Sequence, residues 1–560
     1  MGHSRWNLLP PVPDGHAIQS CGYTPIVTQL LFNRGLTETS QLEAFIASDE
    51  RLATDPFLLP DMPAAVARLY RALLSGEKIA IYGDFDTDGI TATALLVQGL
   101  AMLNCQAVPY IPHRLNEGYG VKTSALEMLS QQGISLVITV DCGITAVAEV
   151  KRAHKLGMDV IITDHHTPQS EVPSAAAVVD PKLPGSRASS DLAGVGVALK
   201  LLQALFQSMG KAEQADNLLD FVALGTVADM MPLLGENRYL VSRGLKIINA
   251  SPRLGIREIM LNSGSTTASL DAEAISWIIA PRLNAAGRLS HAMNSYRLLM
   301  TDSSKEAREL AVWLEQTNAE RQTLTTKAQA VARSRVLSRE LTPLLFVSDP
   351  DFPTGICGLV AGRLANEFYR PAVVVKTGDQ FSGGSCRSIP EFDIFHALSR
   401  HRHLFSNFGG HAQAAGFSLP TRDLPQLENA LKQLAAEQLE GVDLRSRIDV
   451  DIEVKLSELG GDMFPSIQKL APFGQGNPQP VFLSRGIEVL SCRAMGDTGS
   501  HLRVKLKQDG SVWDAVAFDL GDCIREVVTP LDVVFHIEID RWNGSQLRLN
   551  ILDFAPSGRE

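Results

Sequence analysis

Short apolar runs recur through the first third of the chain, and each stops at a carboxylate. Ile79 to Tyr82 leads into Asp84, Asp86 and Asp88 within KIAIYGDFDTDG, and ISLVITV ends at Asp141. MDVIIT is followed by Asp164, His165 and His166, and AAAVV by Asp180. Runs this short, rich in β-branched residues and separated by stretches of helical periodicity, predict buried strands alternating with helices. That alternation predicts a doubly wound parallel sheet, whose strand-end loops gather along one edge. In open α/β sheets that edge is where ligands bind.

The pattern changes along the chain. Thr24 to Ile46 has helical spacing and is expected to pack on the first domain. Beyond residue 235 long helical segments follow. A second α/β region begins at Leu341 with the strand PLLFVSD, a helix over Ile356 to Phe368 and the strand PAVVVKTGD. After an acidic helical stretch near Glu437 the chain alternates with period two. HLRVKLK puts His501, Arg503, Lys505 and Lys507 on one face and Leu502, Val504 and Leu506 on the other. VVFHIEIDRW and QLRLNILDF flank Asn543-Gly544, a hairpin signal. About five such strands, with Trp513, Phe518 and Trp542 nearby, suit an OB-type β-barrel for single strands. A generic β-domain with a solvated face fits the same pattern. The expected segments are 1–55 as a lead-in, 56–240 as the first α/β domain, 241–338 as a helical linker, 339–445 as the second α/β domain and 446–560 as the barrel.

Composition narrows the class. The 560 residues carry 45% hydrophobic and 20% charged side chains, as in an ordinary soluble globular protein. No apolar run nears the ~18 residues of a membrane span, and the first residues lack a signal-peptide core, so a cytoplasmic protein without a membrane partner is expected. The seven cysteines form no CxxC pair, which argues against a disulfide framework or zinc knuckle. A net charge of -11 excludes an indiscriminate nucleic-acid coat but leaves room for a local basic groove. Residues 281–340 hold ten Lys and Arg against six acids. Past Lys305 they read as a solvated helix. Arg282, Asn284 and Arg288 fall in a turn rich in Ala and Gly, where a phosphate backbone could approach closely.

Three aspartates within five residues repel one another and call for water or cations. One or two would read as helix caps; three at a strand end, repeated downstream with Asp and His, have the composition of a divalent-metal centre. Carboxylate and imidazole without thiolate suit Mn²⁺ or Mg²⁺ better than structural zinc. Asp229, ending the apolar helix of LLDFVALGTVADMMPL, reads equally as a cap or a ligand. SGGSCRS, with Ser385 and Arg387, reads equally as a phosphate pocket or a tight hairpin. GGHAQAAGF reads as a Gly-rich turn before a helix, with His411 either facing a cleft or buried as a structural residue.

GDFDTDG, VDCG, TDHH and GTVADMMPL, in that order, resemble the four motifs of the DHH phosphoesterase superfamily. APRLNAAGRL, FSGGSCRSIPEFDI, GGHAQAAGF and APFGQGNPQPVF resemble its RecJ family of single-stranded-DNA-specific exonucleases, and the likeness covers nearly all of the chain after residue 55. The resemblance implies a DHH domain, a DHHA1 domain and an OB-fold domain. It implies two metal ions, Mn²⁺ or Mg²⁺, held by Asp84, Asp86, Asp88, Asp141, His165 and Asp229, with Asp141 bridging and His166 facing the scissile phosphate. Tyr82 stands where other members of the superfamily carry a ligand histidine, so which aspartate holds which ion stays open. It further implies that Ser385 and Arg387, with Arg114, hold a terminal 5′ phosphate, that Arg282, Asn284 and Arg288 border the DNA path, and that His411 faces the cleft. The reading that follows is a monomeric, metal-dependent 5′-to-3′ exonuclease on single-stranded DNA in recombination and repair, with single-strand-binding protein and a helicase as candidate partners. Its rivals are a small-substrate phosphodiesterase for nanoRNA or cyclic dinucleotides, and a non-catalytic replication scaffold. The complete acidic set argues against the scaffold. The basic-faced β-domain, with Arg503 and Lys505, argues against a small substrate.

Overall fold

The computed structural model describes residues 4–264, 269–496, 498–540 and 546–558. The chain forms two compact units, one of residues 7–315 with 449–560 and one of residues 1–6 with 316–448. Among the described residues no helix is long and apolar enough to cross a membrane.

The first unit contains the expected parallel sheet. Its elements are β1 (Ile79–Tyr82), α1 (Thr87–Ala101), β2 (Val108–Tyr110), β3 (Leu136–Val140), β4 (Asp159–Thr163), β5 (Ala177–Val179), α2 (Gly194–Ser208) and α3 (Leu219–Ala228). The strand order is β2-β1-β3-β4-β5, all parallel. Both faces are covered. One packs on α1, α2 and α3 through residues such as Ile81, Ile138, Leu95, Leu199 and Phe221. The other buries Tyr82, Val137 and Val160 against Leu126 and Val150 of two further helices. The continuous apolar runs are therefore those of a sheet buried on both sides.

Register explains why the acids converge. Tyr82 pairs with Thr139, Val140 with Thr163, and Thr163 with Val179. One or two residues later the chains reach Asp84, Asp141, Asp164 and Asp180 side by side. Strand order reverses between β1 and β3, so Asp84 and Asp141 leave the sheet at its topological switch point.

APRLNAAGRL is not a turn: it forms helix α4 (Ala280–Leu289), preceded by a π-helical turn at Ile275–Ile279. Gly287 matters there because a methyl group would lie 2.7 Å from the Phe85 carbonyl oxygen. The small residues thus let a helix, rather than a phosphate backbone, approach the loop after β1.

The other unit holds a mixed sheet of β6 (Leu345–Asp349), β7 (Ala372–Lys376), β8 (Phe381–Arg387), β9 (Asn407–His411) and β10 (Ala414–Pro420), in the order β9-β10-β8-β7-β6, with α5 (Cys357–Phe368) following β6. Two expectations are corrected. SGGSCRS is a central strand, since the Phe417 ring lies across Gly384 and leaves no room for a side chain. GGHAQAAGF is a β-hairpin rather than a turn entering a helix, and His411 is exposed at its end, which removes the buried alternative.

The C-terminal strands, β11 (Phe482–Met495), β12 (His501–Gln508), β13 (Ser511–Ala517), β14 (Leu531–Asp540) and β15 (Gln546–Pro556), pair in the order β11-β12-β13-β15-β14, and β14 closes back on β11. This is a closed five-stranded barrel of OB type. β14 and β15 pair antiparallel up to Asp540 opposite Gln546, while Trp542 and the Asn543-Gly544 hairpin signal lie outside the described residues. The lead-in does not bury its apolar face in the first domain as expected. Ile26, Leu30, Leu31, Leu42 and Phe45 join the core of the barrel, and Arg34 bonds Asn477 and the Pro478 carbonyl at 2.6 and 2.7 Å. An amphipathic stretch shows that it has an apolar face but not which distant surface covers it.

Candidate metal centre

Four chain segments bring carboxylate and imidazole groups to the switch point. Ligand atoms within 4.8 Å of one another come from Asp84, Asp86 and Asp141, from Asp88, His165 and Asp229, and from Asp141, His165 and His166. His165 Nε2 lies 3.1 Å from Asp141 Oδ1, 3.7 Å from Asp229 Oδ2 and 3.9 Å from Asp88 Oδ2. The six residues expected around the metals and His166 are thus close together.

Each is held by its local fold. Asp86 caps α1, its Oδ1 accepting from the amides of Asp88 and Gly89 at 3.0 and 3.2 Å. Asp88, in the first turn, accepts from the amides of Gly194 and Val195 at the start of α2. Asp141 adopts a left-handed backbone, φ 59°, costly for a residue with a side chain and found where surrounding structure enforces it. Asp229 ends α3, where its carboxylate is partly open.

The electrostatics are those of a site that waits for cations. Burial, reinforced by neighbouring carboxylates, pushes Asp84 and Asp141 well above the ordinary aspartate range, Asp88 to about 7 and Asp229 to about 8. Burial drives His165 down to about 3, leaving a neutral imidazole with lone pairs to offer. Both His165 ring nitrogens and Asp84 Oδ1 are buried without a hydrogen-bond partner. Orphaned buried donors and acceptors of this kind fit a divalent cation, and the oxygen and imidazole set suits Mn²⁺ or Mg²⁺.

Two other groups at the site, Asp164 and Tyr119, were given no individual role from sequence. Asp164 Oδ1 accepts from His166 Nδ1 at 2.7 Å, and its Oδ2 accepts from the Ile144 amide at 2.9 Å. Burial alone would raise Asp164, but the His166 bond and charge hold it at about 2; burial alone would lower His166, but the same bond lifts it to about 9. The pair fixes the His166 ring and leaves Nε2 as the atom available to a substrate. The Tyr119 hydroxyl is 3.2 Å from His166 Nδ1 and 3.5 Å from the Asp141 carbonyl. Tyr82 is buried on Tyr110 and donates to the Gly120 carbonyl, outside the cluster.

The nucleic-acid candidates divide. Asn284 Oδ1 accepts from the Thr87 amide and hydroxyl at 2.9 and 3.1 Å, bracing the head of α1. Arg282 is 12% exposed and forms a two-pronged pair with Glu315 at 2.5 and 3.2 Å, so its charge is already matched. Arg288 lies in the last turn of α4. Arg114 places its guanidinium over the Phe85 ring, 4.6 Å from the centroid, and its charge acts on Asp84. In the other unit Ser385 and Arg387 share one face of β8 against the first turn of α5, where a methyl at Gly358 would lie 3.6 Å from Ser385 Cβ and 3.3 Å from Arg387 Nη2. On the barrel, Arg503 pairs across strands with Arg493, and Lys505 with Asp514. Asp514 and Glu488 offset part of this face, at 3.9 Å from Arg503 and 2.9 Å from Lys507.

A buried parallel sheet with this cluster at its switch point is the arrangement of a DHH phosphoesterase domain, and residues 78–226 match the DHH family, N-terminal domain. Residues 341–437 match the DHHA1 domain and 450–553 the RecJ OB domain. The chain belongs to the RecJ family. It is 36% identical over 563 residues to the single-stranded-DNA-specific exonuclease RecJ of Bacillus subtilis, covering 99% of this chain and 71% of that one. With the RecJ of Dickeya dadantii it shares 33% identity, covering 93% of this chain and 94% of the relative. A crystal structure of RecJ from Thermus thermophilus in complex with Mn²⁺ superimposes with a TM-score of 0.84 at 31% identity, covering 99% of this chain and 80% of that one.

Proposed function

We propose that the chain is a metal-dependent exonuclease that degrades single-stranded DNA to mononucleotides from the 5′ end. The observation that carries this reading is the clustering of Asp84, Asp86, Asp88, Asp141, His165 and Asp229 at the switch point of a RecJ-family sheet. Asp84, Asp86, Asp88, Asp141, His165 and Asp229 would hold two divalent cations, which when bound would supply Lewis acidity toward the phosphodiester and lower the pKa of a water. The residues do the rest. The carboxylates take the charge, Asp141 is central to two of the three ligand groups, and His165 contributes a neutral nitrogen. His166, charged near neutral pH and held by Asp164, offers a donor to a non-bridging phosphate oxygen.

Directionality requires a group that holds the strand terminus. Arg114 beside the cluster is our choice for contact with a 5′ phosphate, with Ser385 and Arg387 of the other unit as further phosphate contacts. Arg288, His411, Arg503 and Lys505 are assigned to the passing strand. Arg282 is retained only as a buttress, given its pair with Glu315. The segments 56–240, 241–338, 339–445 and 446–560 are proposed as working divisions of this activity. Single-strand-binding protein and a helicase are the proposed partners, with a monomeric, cytoplasmic enzyme. Product analysis tests the class: mononucleotide release from long single strands, outpacing hydrolysis of a dinucleotide such as pGpG, supports it. A marked preference for the dinucleotide refutes it.

A further inference from the structure

We infer that Phe85 is a positioning residue for Arg114, presenting its guanidinium to the terminal phosphate. This rests on the 5′-phosphate reading above and identifies what sets it. Phe85 sits between Asp84 and Asp86, yet the residue is only 7% exposed. The ring belongs to the apolar core beneath the loop. Its backbone is clamped from the far side, where Gly287 of α4 packs against its carbonyl and Asn284 takes the Thr87 amide and hydroxyl. The ring is therefore a fixed surface.

Arg114 lies over that surface. Its backbone is fixed independently, because the His113 carbonyl accepts from the amides of Asn116 and Glu117, and the Glu117 carboxylate takes the His113 amide and the Tyr110 hydroxyl, both at 2.6 Å. The His113 ring also meets His291 edge-on at 5.4 Å. The Arg114 side chain has no such bonds: among the described residues no carboxylate or carbonyl hydrogen-bonds its guanidinium, which lies over the Phe85 face at 4.6 Å and acts on Asp84 only through its charge. The chemistry of that choice is informative. A carboxylate partner would occupy the edge N–H groups that a phosphate needs, whereas an aromatic face holds the cation through its plane and leaves the fork open. A dianionic terminal phosphate arriving beside the cluster meets a guanidinium already oriented for two charge-assisted bonds.

The test is the ratio of kcat/KM for oligonucleotides with a 5′ phosphate and a 5′ hydroxyl, measured with Mn²⁺ on the full chain. Phe85→Leu should reduce this ratio about 3- to 20-fold, the range expected for a cation held on an aromatic face. Phe85→Tyr, which keeps the ring, should retain it. Phe85→Leu combined with Arg114→Ala should give the ratio of Arg114→Ala alone, because the ring acts only through the arginine. Should Phe85→Leu fail to fold, Phe85→Met removes the ring while filling the space. If Arg114→Ala collapses the ratio but the Phe85 variants do not, or if they slow both substrates equally, Phe85 is packing for the loop and the inference is overturned. A wild-type ratio near one, or an unchanged ratio in Arg114→Ala, instead refutes the terminal-phosphate reading itself.

Discussion

The Gly194 amide donates to Asp88 Oδ2 at 2.6 Å, and the Val195 amide to Oδ1 at 2.9 Å, so the start of α2 grips one carboxylate of the cluster by both oxygens. The same glycine makes room for another. A methyl at position 194 would lie 2.6 Å from Asp141 Cβ and 2.7 Å from Asp141 Oδ1. One backbone position therefore sets two carboxylates of the cluster drawn from different strand ends, one by donating and one by lacking a side chain.

Gly194→Ala should accordingly displace Asp141 or lift α2 from Asp88. A displacement of the order of 1 Å at a reacting centre costs roughly 10²-fold in rate, and forcing a methyl into a packed site costs about 1–3 kcal/mol of stability. Steady-state kinetics with Mn²⁺, beside circular dichroism showing a retained fold, checks this. Turnover within twofold of wild type would show that the two carboxylates do not depend on this contact.

Asn284→Ala removes the acceptor for the Thr87 amide and hydroxyl and frees the loop bearing Asp84, Asp86 and Asp88 at its α1 end. Groups that orient ligands without touching the metal typically change affinity about 10- to 100-fold. The Mn²⁺ concentration for half-maximal activity should rise within that range while maximal activity changes less. An unaltered Mn²⁺ titration would assign Asn284 to the nucleic acid instead.

Much of the centre was legible because buried strands announce their ends. An apolar run that breaks at an acid on a doubly covered sheet marks the ligand-binding edge, and this located Asp84, Asp141 and His165 before any distance was known. The positions missed depend on what a residue faces. β8 was hidden because Gly383, Gly384 and Ser385 have poor strand propensity, and their smallness serves the Phe417 ring rather than a turn. α4 was hidden because Gly287 and its alanines look like a flexible turn until the Phe85 carbonyl is seen against them. Asp164 reads as a ligand equal to its neighbours, and only its bonds to His166 and Ile144 reveal a buttress. The lead-in shows an apolar face whose cover lies some 400 residues away in sequence, as the Asn33 bond to Asp451 illustrates.

The raised carboxylates make stability depend on pH and metal together. Asp88 at about 7 and Asp229 at about 8 bind protons in the folded state that their unfolded forms, near pH 4, have already released. His166, at about 9 against an ordinary 6.5, also binds its proton more tightly when folded, so its contribution is present below 6.5 and is lost as pH rises through 9. His165, at about 3, acts in the opposite sense only below about 6.5. Between pH 6.5 and 9 the groups still titrating, Asp88 up to about 7, Asp229 up to about 8 and His166 up to about 9, all predict falling stability of the metal-free protein as pH rises. Cations replace the lost protons, so the rise in Tm on adding Mn²⁺ should grow across this window. A Mn²⁺ increment that shrinks as pH rises would contradict the electrostatic account.

The central claim is that the Asp141-centred cluster is the metal-dependent catalytic site of a single-strand exonuclease. Its most direct test is the time course of mononucleotide release from a 5′-labelled single strand by wild type and Asp141→Ala, each with Mn²⁺ and with a chelator, alongside single-strand binding by both proteins. The account predicts prompt release of labelled mononucleotide by wild type with Mn²⁺ and none with chelator. It predicts at least a 10²-fold loss in Asp141→Ala, with strand binding retained. Asp141→Ala turning over at a tenth of the wild-type rate, or release that persists in chelator, would contradict it.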